Sequence, residues 1–174
     1  MSSLAERIQP ALRVRDQSLE KSAMITITSA PLPQNVIGVP RSSGLMSSWE
    51  LGLTENYDAT ALVSMLKERQ VSARELLAAF RKRATIAQQC TNCLTELLPQ
   101  AVEDAKACDE YLARTGKTMG PLHGLPVSVK EQISIAGRYT NVGFVSLVDN
   151  LSAEDAQIVK SLKQLGAVIF ARTN

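Results

Sequence analysis

The sequence predicts an α/β fold in which helices pack on a parallel or mixed sheet. Three observations carry that prediction. Amphipathic helical stripes fill residues 58–112. Two short apolar, β-branched runs follow at residues 125–129 and 167–171. A further helical stripe lies between those runs. Strand, helix, strand is the unit that gives a parallel pair with a right-handed crossover.

The elements can be taken in order. Residues 4–19 are charged and weakly helical, and Pro10 should break them early. Pro31, Pro33 and Pro40 then punctuate a stretch holding Val36, Ile37 and Val39. Proline fixes φ and removes an N–H donor, so this stretch should be an extended arm lying on a larger body. Asp58 can cap a helix presenting Leu62, Met65 and Leu66. Ser72-Ala73-Arg74-Glu75 is a capping box, and Leu76, Leu77, Phe80, Ala84 and Ala87 form the stripe behind it. Ala101, Val102, Ala105, Cys108 and Leu112 make the next stripe, and Gly116 suits its end. A capping signal at residues 152–155 should open a helix carrying Ile158, Val159, Leu162 and Leu165, closed by Gly166. Residues 1–50 are thus expected to be a helix and a Pro-containing arm, and residues 51–174 the body. Two strands are too small a sheet for four helices. The domain is therefore expected to be incomplete at its C-terminal side, with an open sheet edge that invites self-association.

Composition narrows the function. The hydrophobic fraction is 45% and the charged fraction 21%, as in a globular protein. A net charge of +2 gives no footprint for nucleic acid or an acidic membrane, and an aromatic content of 4% gives no stacking platform around Trp49. The apolar run at residues 167–171 is far shorter than the roughly 20 residues a membrane span needs. The first thirty residues mix Glu6, Asp16 and Glu20 with their basic residues, unlike a transit peptide. Cys90, Cys93 and Cys108 are an odd set, which favours a reducing, cytoplasmic location over a disulfide framework. With His123 they can be drawn as a zinc site, but only the first pair has ligand-like spacing, and Cys108 already belongs to an apolar stripe. No metal or cofactor is expected.

The residue that stands out is Lys130. It ends Gly124-Leu125-Pro126-Val127-Ser128-Val129-Lys130, directly after a strand that reads as buried. Loss of hydration disfavours the ammonium and would leave a neutral amine able to act as a general base. The plainer alternative is a lysine whose stem packs and whose head reaches water. A kinase strand also ends in lysine, but it needs a Gly-rich phosphate loop upstream, and helices stand there instead.

The segment Gly120-Pro121-Leu122-His123-Gly124-Leu125-Pro126-Val127-Ser128-Val129-Lys130-Glu131 resembles the lysine segment of the amidase signature family. Thr91 to Glu96, Glu154-Asp155-Ala156 and Arg172-Thr173-Asn174 are similar to its fungal acetamidase-like branch, in the family's order. The resemblance implies the N-terminal part of an amidase-signature fold, acting without cofactor on a small-molecule amide. It implies a serine nucleophile, a bridging serine on a cis peptide bond and a lysine that takes the bridging serine's proton, with the oxyanion held by backbone N–H groups. Lys130 matches that lysine. Val142 and Gly143 match a loop that borders the substrate pocket in relatives. The two serines belong to a Gly/Ser-rich segment with no counterpart here, and Ser42-Ser43-Gly44 and Ser47-Ser48 match nothing in it. Two departures are visible. Glu131 stands where the family commonly has Asp, and Arg172 where many members have Lys. The expected activity of the chain alone is therefore nil. The rival readings are a non-catalytic amidase-like interaction protein and a gene-model fragment whose remainder lies downstream.

Overall fold

The computed structural model describes residues 3–25 and 33–174. Part of the proline-rich stretch, residues 26–32, lies outside them. The sheet has three strands in the order β1-β3-β2, with β1 at Leu94–Leu97, β2 at Pro126–Lys130 and β3 at Val168–Thr173. β2 runs parallel to the central β3, and β1 runs antiparallel to it, so the sheet is mixed. The parallel pair is the one expected from strand, helix, strand. β1 was not foreseen, because Leu-Thr-Glu-Leu is too short and too polar to stand out from a loop.

β3 is buried on both faces, as a central strand should be. Val168 and Phe170 join the main core with Leu66, Leu76, Leu77, Leu97, Ala101 and Ala105. Ile169 points the other way, into a smaller core with Leu98, Val129, Ile135 and Val159. The first face is covered by α5 (Ala73–Thr91) and α6 (Gln100–Thr115), and α7 (Gln157–Gln164) packs on β3 through Val159. Phe80 meets Phe170 edge to face, with centroids 6.1 Å apart.

Local signals set most helix ends. Asp58 caps α4 (Ala59–Lys67) by accepting the Ala61 N–H at 2.8 Å. Ser72 and Glu75 close a reciprocal capping box on α5, and Asn92 ends that helix in the left-handed region at φ 52°. Gly116 does the same for α6. Val102, expected in the α6 stripe, is instead 46% exposed. The signal at residues 152–155 does not cap α7. Ala156 is its N-cap, without a side-chain bond, while Asp155 accepts the Ala136 N–H and Ser152 pairs with Thr140. Those side chains serve the preceding loop.

The N-terminal region corrects three expectations. Pro10 does not break α1 (Leu4–Ser18), which opens with a Ser3–Glu6 capping box and runs on through it. Proline removes one backbone bond, and the helix is held along β1, where Ser18 Oγ accepts the Leu97 N–H at 2.8 Å. The arm is not wholly extended, because Val39–Ser42 forms one turn, α2, with Pro40 in its first turn, where proline is tolerated. A helix also runs across the boundary placed between residues 50 and 51. This is α3 (Ser48–Glu55), marked by a Ser47–Glu50 capping box. Ala23, Val39 and Met46 share a core with Leu51 and Ile86, so both sides of that boundary belong to one body.

Candidate active site

The lysine segment begins as a backbone-to-backbone contact. The Leu122 N–H bonds the Leu165 carbonyl at 2.9 Å, and the Gly124 N–H bonds the Gly166 carbonyl at 2.8 Å. A Cβ on Gly120 would sit 2.5 Å from the Leu165 oxygen, so only glycine permits this approach. Gly124, at φ 73°, then turns the chain into β2. His123 is buried in this turn, and its Nδ1 accepts the Met119 N–H at 3.1 Å. The turn therefore delivers β2 in register, with Lys130 opposite Thr173 of β3.

Lys130 ends β2 and its side chain is exposed. The expectation of a desolvated amine is not met in this chain. Val129 and Glu131 point inward on either side of it, and strand alternation sends Lys130 outward. It does not face open water alone. Lys130 lines a cleft of about 200 Å³ with Thr95, Asn141, Val142, Gly143 and Asn174. Val142 and Gly143 thus stand in the same cleft as the lysine. Thr95 lies where the β1–β3 register shifts between Leu94 and Glu96, a bulge of the kind that re-aims side chains beside functional sites.

Behind this cleft lies a buried charge cluster. Arg172 is 2% exposed. Its Nη1 donates to Glu96 at 2.9 Å and its Nη2 to the Glu131 carbonyl at 2.5 Å, with the Glu131 carboxylate 3.4 Å away. Arg138 donates to the other Glu96 oxygen at 3.1 Å. Among the described residues, Arg172 Nε is the one buried side-chain nitrogen or oxygen lacking a partner. The Glu131 carboxylate accepts the backbone N–H groups of Asn141 at 2.7 Å and Val142 at 3.0 Å. Thr140 and Asn150 extend the mesh, since Asn150 Nδ2 donates to the Thr140 carbonyl at 2.8 Å. Sequence reasoning noted Glu131 and Arg172 as departures from a family pattern. It missed Glu96 and Arg138, although a glutamate inside an apolar Leu-Thr-Glu-Leu-Leu run is a signal that a buried cation must meet it.

The remaining candidates separate. Cys108 is core, its Sγ 3.8 Å from the Gly166 carbonyl oxygen, and burial pushes its thiol pKa up. Among the described residues no three His, Cys, Asp or Glu side chains converge closely enough to hold a metal ion. Ser42, Ser43, Ser47 and Ser48 stand at α2 and the start of α3, where Ser47 is the α3 cap.

The chain belongs to the amidase family, whose sequence pattern, described as Amidase, matches residues 75–174. It is 40% identical over 154 residues to an amidase of Gibberella moniliformis, covering 86% of this chain and 29% of that protein. It is 38% identical over 149 residues to the acetamidase of Emericella nidulans, covering 85% of this chain and 27% of that one. The fold superposes on a fatty acid amide hydrolase with a TM-score of 0.90 and 30% identity, over 98% of this chain and 31% of the other. A peptide amidase of Stenotrophomonas maltophilia superposes over 69% of this chain with a TM-score of 0.63. The chain therefore spans less than a third of the length of these relatives. Among the described residues no helix is long and apolar enough to cross a membrane.

Proposed function

We propose that this chain supplies the lysine-bearing part of a serine-dependent amidase that hydrolyses small carboxamides to carboxylate and ammonia. Lys130 is the proton acceptor of the relay, and Val142 and Gly143 border the acyl side of the substrate. The observation that carries this reading is the position of Lys130. It stands at the carboxyl end of a strand in a parallel pair, on the rim of a cleft walled by that loop. Ligands of open α/β sheets bind at that edge.

The exposure of Lys130 has a chemical meaning under this reading. As the relay base Lys130 has to meet a hydroxyl partner, and its place in the cleft leaves its head group open to one. These 174 residues hold no Gly-Gly-Ser-Ser run, the segment that carries the nucleophile in the family pattern. Loss of the nucleophile from a triad-like site removes roughly a million-fold of rate. The 174-residue polypeptide alone should release no ammonia from acetamide. Free thiols at Cys90, Cys93 and Cys108 favour work in the reducing cytoplasm.

A fusion tests the reading. This chain would replace the matching N-terminal part of the Emericella nidulans acetamidase, and ammonia release from acetamide would be followed. Turnover is expected, with a loss on the order of a thousand-fold or more in Lys130→Ala, as for other relay members. A folded fusion that works equally well without Lys130 would sink the assignment.

A further inference from the structure

We propose that Glu131 is a positioning residue: its carboxylate clamps the turn at Asn141 and Val142, and that clamp sets the wall of the Lys130 cleft. The role of that wall in amide binding rests on the hydrolase reading. The clamp itself stands on geometry alone.

Lys130 and Glu131 are neighbours in the chain and both line the cleft, but they differ in burial. Lys130 is exposed at the cleft, and Glu131 is 5% exposed. Each carboxylate oxygen takes one backbone donor, Asn141 N–H on one and Val142 N–H on the other. Two successive N–H groups directed at one anion form a nest, a concavity that binds negative charge. Here the anion is supplied by the protein's own Glu131.

The nest has a backbone requirement. Val142 sits at φ 54° and Gly143 at φ 80°. A β-branched residue in the left-handed region is a real outlier, and such a conformation persists only when its surroundings impose it. Packing of the valine side chain does not impose it, because Val142 is 47% exposed. The turn closes on itself through the Phe144 N–H bond to the Asn141 carbonyl at 2.8 Å and the Asn141 side chain accepting the Gly143 N–H at 2.9 Å, and the two carboxylate bonds tie that turn to the strand. Glu131 is in turn fixed by Arg172, which grips its carbonyl and stands 3.4 Å from its carboxylate.

The side-chain length and charge follow from this. An aspartate is one methylene shorter and would withdraw from both donors. A glutamine keeps one acceptor oxygen but presents an NH2 group to the second N–H, setting donor against donor. Glutamine is therefore not a conservative replacement here, and an aspartate, which the family commonly carries at this position, would keep both bonds only if the turn moved toward the strand.

The test is an amide NMR measurement on the chain itself. In the unaltered chain the Asn141 and Val142 amide protons should lie downfield and exchange with solvent at least about tenfold more slowly than unprotected amides. Glu131→Gln and Glu131→Asp should each abolish that signature for one or both amides. Val142→Gly should keep both, because glycine adopts this φ without strain. Adding Val142→Gly to Glu131→Gln should restore dispersion to the Gly143 signal. The proposal is overturned if the two amides exchange at the unprotected rate in the unaltered chain. It is also overturned if a folded Glu131→Gln or Glu131→Asp variant leaves both signals in place. If Glu131→Gln does not fold, the unaltered chain and Glu131→Asp decide. No turnover is read, so failure here is distinct from failure of the acetamidase fusion.

Discussion

β3 begins and ends under different physical regimes. At its start Val168, Ile169 and Phe170 are buried between two apolar layers, with α5 and α6 on one side and α7 on the other. Two residues beyond Phe170 the strand still runs through the interior, but Arg172 is enclosed by Glu96, Glu131 and Arg138. The apolar end is non-directional and tolerates any side chain of the right volume. The charged end is directional, because each buried ion needs a named partner. The cleft with Lys130 lies at the charged end, where position rather than volume has to be controlled.

The sharpest way to break this contrast is to remove the charge at its centre. Arg172→Met leaves buried Glu96 with Arg138 alone and Glu131 with only its backbone donors, and should destabilise the fold by about 3–5 kcal/mol, read from urea unfolding. A cost below about 1 kcal/mol would mean that water or Arg138 suffices and that the charged end is not built around Arg172. The matching change at the apolar end is Leu76→Ala. Leu76 is fully buried in the main core, and truncation should cost about 2–5 kcal/mol through lost transfer energy and the residual cavity. The two variants should differ in kind as well as size. Leu76→Ala should leave the Asn141 and Val142 amide signals in place, whereas Arg172→Met should shift them. A smaller effect is expected at the turn leading into β2. Gly120→Ala forces a methyl group toward the Leu165 carbonyl and should cost about 1–3 kcal/mol, again by urea unfolding.

Legibility in the sequence follows the same division. The apolar layers were readable, because burial writes a period into the chain. Leu62, Met65 and Leu66, then Leu76 and Leu77, then Ala101, Ala105 and Cys108 all lie in the main core. Side-chain caps were readable where they act on the very next helix, as at Asp58 and Ser72. They misled at Ser152 and Asp155, whose polar groups are used across a loop by Thr140 and Ala136. α3 went unforeseen although Ser47 and Glu50 carry its cap, because its apolar stripe is only Leu51 and Leu53. The charge cluster was the least legible part. Glu96 and Arg172 lie 76 residues apart, and no local pattern records that they meet. Lys130 could be located from its motif, but its hydration could not, since that depends on what closes over the strand end.

The finest distinction between the two ends concerns pH. His123 lies beside the apolar core, and burial lowers its imidazole pKa from the ordinary 6.5, against a weaker opposing pull from Asp109. The unfolded chain then binds more protons than the folded one between that lowered value and 6.5. Stability contributed by neutral His123 should be fully present above 6.5 and fall as the pH drops through that window. Shifted carboxylates act elsewhere on the scale. Glu75, held below its ordinary 4.5 by the Ser72 hydroxyl and backbone, contributes above that value and loses its contribution only as the pH falls further. A series of unfolding curves between pH 5 and 7 on the unaltered chain and on His123→Gln should therefore diverge in slope, with the variant flatter. Parallel slopes would show that the turn before β2 does not enforce a neutral imidazole. The acid sensitivity of the fold would then have to come from the carboxylates alone.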